Sequence, residues 1–122
     1  MTEKILHLPL KKEWYEMIES GVKTEEYREI KAHWVRRLTR YYNGTPNYKP
    51  YADFLSSSPK ILEHNIRFGI MCFTCYNHVK FSYGYTKRTM TFEIENITIG
   101  KGNPEWGAPK EDVFIIKLGK RL

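Results

Sequence analysis

The stretch GVKTEEYREI, residues 21–30, carries five charges in the eight residues from Lys23 to Ile30. Read as a strand, it alternates Lys23, Glu25, Tyr27 and Glu29 on one face with Thr24, Glu26, Arg28 and Ile30 on the other. Neither face resembles one that packs on a core. The segment before it is amphipathic. Leu10, Trp14, Met17 and Ile18 recur at i, i+4, i+7 and i+8, with Lys11, Lys12, Glu16 and Glu19 around them and Gly21 as a C-cap. Upstream, residues 4–8 (KILHL) read as a first strand closed by Pro9, with His7 turned away from Leu6 and Leu8. A strand and a helix therefore deliver the chain to the charged stretch, and a second strand is its most economical reading.

Downstream, residues 31–42 (KAHWVRRLTRYY) read as a second helix. Trp34, Leu38 and Tyr41 share one side with Val35 and Tyr42, and His33, Arg36, Arg37 and Arg40 fall on the other. Residues 43–60 carry Asn, Gly, Pro and Ser, the marks of a long loop, with one helical turn at 51–55 (YADFL). NIRFGIMCF reads as a strand or irregular segment. HVKFSYGY alternates Val79, Phe81, Tyr83 and Tyr85 on one face. RTMTFEIENITI places Met90, Phe92 and Ile94 inward and then shifts phase to Ile97 and Ile99, the signature of a β-bulge. GKGNPEWGAP is a loop, and DVFIIKL closes the chain with Phe114, Ile116 and Leu118 alternating. This order predicts an α+β fold: a small β-barrel of about five or six mostly antiparallel strands with two or three flanking helices.

The 122 residues suit one domain, and 41% hydrophobic with 28% charged residues is ordinary globular usage, which argues against disorder. A net charge of +6 and a pI near 9.3 favour anionic partners, nucleic acid first. MTEKILHLPLKKEW shows no signal-peptide pattern and no apolar run reaches membrane-span length, so the expectation is a cytoplasmic protein with no membrane partner. Cys72 and Cys75 (CFTC) lack a second ligand pair for zinc and a helix for redox chemistry, and read as buried, inert thiols. No metal or cofactor is expected.

WYEMIESGVKTEEYR resembles the signature of the ASCH domain family, a helix ending in glycine followed by G-x-K-x-x-E-x-R. Gly21, Lys23, Glu26 and Arg28 fill every specified position. The likeness extends loosely to an aromatic-Gly-Tyr turn, the IGxG…WGAP loop and the IIKLG strand. Residues 31–66 then read as a helix-and-loop insertion in a single domain spanning 1–122. The resemblance implies a PUA-like pseudo-barrel that binds RNA, a nucleotide or a nucleoside, with the motif's charges lining a cleft. Lys23, Glu26 and Arg28 are the candidate ligand-binding residues, with Tyr83, Tyr85 and Trp106 as stacking surfaces. His33, Arg36, Arg37 and Arg40 are candidate phosphate contacts. Trp14 and Trp34 read as core.

The competing readings are a solvated charge ladder on an edge strand for the motif, and the wet side of an amphipathic helix for the arginines. Some relatives hydrolyse acetylated cytidine with a lysine, a threonine three residues later and a distant glutamate. Lys23 matches the lysine, but Glu26 stands in the threonine position, and neither Glu105 nor Glu111 aligns with the glutamate. That activity is therefore not expected. A small hydrolase acting on a modified nucleoside or RNA through Lys23 and Glu26 is the alternative to a binding module. An adaptor using the basic helix against a protein is a third.

Overall fold

The computed structural model describes residues 4–41 and 55–122. In chain order the elements are β1 (Ile5–Leu10), α1 (Lys12–Glu19), β2 (Glu25–Glu29), α2 (Ala32–Leu38), β3 (Thr39–Tyr41), α3 (Pro59–Arg67), β4 (Met71–Phe73), β5 (His78–Tyr83), β6 (Thr89–Gly100), a 3₁₀ turn (Pro104–Trp106) and β7 (Val113–Arg121). Five strands form one sheet in the order β1-β5-β6-β7-β2, and β3 pairs with β4 apart from it. The large sheet is curled into a half-barrel, giving an α+β architecture.

Period-two burial builds this sheet. Val79 and Phe81 from β5 meet Met90 and Phe92 from β6, and Phe114, Ile116 and Leu118 from β7 complete the wall. Leu6, Leu8 and Leu10 alternate inward from β1, so both ends of the chain share one core. Full burial of a side chain of this size stabilises the fold by about 1.5–3 kcal/mol. The change of apolar phase on β6 coincides with a break in register. Ile94 lies opposite Leu118 but Asn96 lies opposite Lys117, so Glu95 is the extra residue, and a second irregularity falls between Phe92 and Ile94. Bulges increase strand twist and bend, which is what a curling sheet requires.

Several elements depart from the sequence reading. β1 runs through Pro9 and pairs in parallel with β5, while the other pairings of the sheet are antiparallel. Proline is tolerated there because β1 is an edge strand. The carbonyls of Lys4 and Leu10 accept bonds from the β5 side, so Pro9, of opposite phase, turns its missing N–H outward. On α1 the residues buried against the sheet are Tyr15 and Ile18, whereas Trp14 and Met17 are only half-buried. Gly21 does end that helix, with φ +85° and its N–H bonded to the Ile18 carbonyl.

The second helix stops at Leu38, because Thr39 and Tyr41 pair with Phe73 and Met71. Arg40 consequently sits on a strand opposite Cys72, off the helix that carries Arg36 and Arg37. Part of the expected 43–60 loop and the first three residues of NIRFGIMCF belong to α3, which starts with Pro59 in its first turn and packs Leu62 and Ile66 on the core, while the last three residues of that stretch form β4. The turn expected at 51–55 lies, except for buried Leu55, outside the described residues. Within 31–66, Val35, Leu38 and Leu62 belong to the main core. The cysteines are not buried: Cys75 is exposed and Cys72 half-buried.

Candidate functional site

The charged stretch forms β2, the edge strand beside β7. Each of its faces has a partner. Tyr27 packs with Ala108 and Val113 in a small second cluster, while Glu26 lies opposite core residue Ile116. Burial runs against hydropathy at its start. Val22 is 59% exposed while the next residue, Lys23, is 2% exposed. Hydrophobicity does not account for that inversion, so it marks a position set by polar interactions. The Lys23 N–H bonds back to the Met17 carbonyl at 3.0 Å, turning the chain under α1.

Lys23, Glu26 and Arg28 form one ion triad. Lys23 Nζ lies 2.9 Å from Glu26 Oε1, and Arg28 Nη1 pairs with Glu26 Oε2. Burying charge is costly unless every group is paired, and here the partners are numerous. Lys23 Nζ also donates to the Trp106 carbonyl at 2.6 Å and lies 5.0 Å and 4.9 Å from the ring centroids of Trp14 and Tyr27. Arg28 Nη1 donates to the Tyr27 carbonyl at 2.9 Å, and its Nη2 reaches the Pro9 carbonyl at 3.4 Å. The guanidinium lies 5.3 Å from the centroid of Trp34. The triad holds two cations against one anion, and Arg28 is its most exposed member, with 18% side-chain exposure.

This placement defines a cleft. β1 and β2 are the two edges of the curled sheet, and Arg28 spans from one to the other where the barrel fails to close. A cavity of about 430 Å³ opens there, lined by Pro9, Leu10, Lys11, Trp14, Lys23, Glu26, Tyr27, Arg28, Glu29, Trp106 and Gly107. A second lobe of about 350 Å³ shares Tyr27, Arg28, Glu29 and Gly107 with it and continues to Lys31, Trp34, Pro109 and Val113. All three tryptophans of the chain therefore wall one groove. Trp14 and Trp34 are on these walls, not fully buried in the core as their apolar helical positions suggested.

The loop after β6 closes the groove and is sewn to β2. The Tyr27 hydroxyl accepts from the Asn103 N–H at 3.0 Å and donates to Glu25 Oε1 at 2.8 Å. Gly102 lies so close that an added Cβ would come within 2.8 Å of the Tyr27 ring and 2.6 Å of Ala108. Gly107 has φ +94°, and a Cβ there would approach Trp14 to 2.9 Å.

Burial pushes the Tyr27 hydroxyl up to about 12, Glu25 and Glu26 adding to the shift while the Asn103 bond opposes it. An acid whose folded pKa lies above its unfolded value favours folding below the unfolded pKa, about 10 for tyrosine. That contribution is lost as pH rises from about 10 to about 12. Tyr27→Phe is expected to lower the urea midpoint at pH 8, because Asn103 and Glu25 lose a partner. It should also show a smaller further decline at pH 11 than the parent. An equal decline in both proteins would assign the alkaline loss to other groups.

Other candidate residues lie elsewhere. Tyr83 contacts Tyr15 edge-on at 5.2 Å, and Arg88 lies over both rings while pairing with Glu19. Tyr85 is 97% exposed beyond Gly84, which turns the chain at φ +57°. Neither tyrosine lines the cleft, because β5 ends before the alternation reaches Tyr85. Trp106 does line it. His33 stands edge-on to Trp34 at 4.7 Å, Arg37 lies 5.5 Å from the same ring centroid, and Arg36 and Arg40 are exposed. Tyr27, Trp14, Trp34, Lys11 and Gly107 escaped the sequence reading as wall residues. Among the described residues no group of three or more His, Cys, Asp or Glu side chains gathers into a metal site, and no helix is long and apolar enough to cross a membrane. Comparison of the chain with family models, with curated proteins and with solved structures returned no match.

Proposed function

We propose that this chain is an ASCH-like module of PUA-like fold that binds a nucleotide in the cleft between β1 and β2. The observation that carries this reading is the buried Lys23–Glu26–Arg28 triad, with its excess positive charge, in a groove walled by all three tryptophans. Indole and phenol faces stack on bases of any sequence, and a partly exposed guanidinium pairs with phosphate. The resemblance of Gly21, Lys23, Glu26 and Arg28 to the G-x-K-x-x-E-x-R signature supports the same assignment.

Binding is favoured over hydrolysis by how the triad is already engaged. Both Glu26 oxygens hold cations, and Lys23 is committed to Glu26 and to the Trp106 carbonyl. A general base must reach the proton it removes, and here both carboxylate oxygens and the ammonium already face partners within the protein. Calorimetric titration with nucleoside monophosphates tests the reading. One-to-one binding is expected, weakened at least about tenfold, or about 1.4 kcal/mol, by Arg28→Ala and left intact by Lys12→Ala. No binding by any of the four monophosphates would refute it. Steady release of acetate from acetylated cytidine, lost in Lys23→Ala, would replace it with the hydrolase reading.

A further inference from the structure

The two edges of the curled sheet meet at the groove without pairing, since β1 and β2 stand at opposite ends of the strand order. Among the described residues a single hydrogen bond joins these two strands, from Arg28 Nη2 to the Pro9 carbonyl. Nη1 of the same group donates to the Tyr27 carbonyl on β2 at 2.9 Å. The guanidinium thus does across the gap what a backbone N–H does inside a sheet. At 3.4 Å the bond to Pro9 is longer than the usual range of about 2.7–3.2 Å, and it is open to water. The strap is in place but slack.

The donors of Arg28 show what would tighten it. Glu26 Oε2 and the Tyr27 carbonyl engage Nη1, and the Pro9 carbonyl takes one hydrogen of Nη2. Nε–H and the second Nη2 hydrogen have no partner among the described residues. They share one edge of the guanidinium and form the two-point fork that carboxylate and phosphate oxygens fit. Arg28 lines both lobes of the groove, so an anion in either can reach it. The triad sets two cations against one carboxylate, which leaves Arg28 relying on water for part of its solvation. That water competes with the Pro9 carbonyl for Nη2. An anion seated on the fork takes the water's place, fixes the guanidinium plane at two points and leaves the last Nη2 hydrogen to Pro9.

We propose that Arg28 is a strap that an anion in the groove pulls tight, drawing β1 onto β2 and closing the half-barrel along its open side. This rests on the cleft reading and adds to it how the site is regulated. Occupancy and closure are linked, so each favours the other by the same factor. The groove is slack when empty and shut when filled.

The test follows the Pro9 carbonyl by nuclear magnetic resonance of the isotope-labelled full chain, titrated with inorganic phosphate and with a nucleoside monophosphate. A carbonyl carbon moves downfield as its oxygen accepts a stronger hydrogen bond. Filling the groove is expected to move the Pro9 carbon downfield in step with the Arg28 Nε resonance. Exchange of the Arg28 Nε–H with water should slow at least about tenfold. Arg28→Lys, which keeps the charge but not the fork, should place the Pro9 carbon upfield of the parent's and leave it unresponsive to either ligand. A Pro9 carbon that stays in place or moves upfield while Arg28 Nε shifts would overturn the strap and leave the cleft reading intact. An Arg28→Lys protein whose Pro9 carbon matches the parent's would do the same. If neither ligand shifts Arg28 Nε, the cleft reading and the strap fall together.

Discussion

Glu26→Ala is expected to be among the most damaging single substitutions in this protein, lowering the unfolding free energy by about 3 kcal/mol. It leaves two cations, Lys23 and Arg28, without the carboxylate between them, in a site where Glu26 itself is 4% exposed. Removing one partner of a buried pair costs about 3–5 kcal/mol, and the low end applies because Arg28 keeps some contact with water. Against a total stability of about 5–15 kcal/mol this is a large share. Glu29→Ala is the matched control. Its pairing with Lys31 joins side chains that are 64% and 69% exposed, and such pairs are worth about 0–1 kcal/mol. Glu25, its alternation partner on the same face, would be a poor control because it accepts the Tyr27 hydroxyl. Urea denaturation of the three proteins decides the matter. Equal losses from Glu26→Ala and Glu29→Ala would mean that the triad is a solvated ladder.

Gly107→Ala is expected to cost about 1–3 kcal/mol and to abolish ligand binding. The backbone there lies at φ +94°, which an alanine adopts only with strain. The new methyl would also meet Trp14 at 2.9 Å, forcing the indole or the loop to move. Both lie on the groove wall, and Gly107 lines both lobes. Gly84→Ala shares the positive φ but has open space around it, so it isolates the backbone cost from the steric one. Calorimetric titration beside thermal unfolding separates the two effects. A Gly107→Ala protein that binds as the parent does would show that the loop does not shape the site.

The strands β5 to β7 were legible because alternation is a local signal, and the bulge was legible because a phase slip is visible in the residues themselves. The parallel pairing of β1 with β5 was not, since residues far apart in the chain choose each other by core packing. β3 was hidden by a helical period that continues through Arg40, and only the partner strand β4 ends the helix at Leu38. α3 was hidden by Ser58 and Pro59, which read as loop residues although proline also opens helices. At the site, the spacing of Lys23, Glu26 and Arg28 was readable along one strand. The tryptophan walls were not, because an indole on an apolar helical stripe looks the same whether it seals a core or borders a groove.

That clustering of indoles has a practical consequence. With every tryptophan on the groove, emission excited at wavelengths that tryptophan absorbs and tyrosine does not originates around the triad. Emission therefore reports the state of the seam between β1 and β2, whereas far-ultraviolet circular dichroism averages over all the helices and strands. A fluorescence transition that precedes the dichroism transition on adding denaturant would be the spectroscopic record of the half-barrel opening along its seam before its sheet melts.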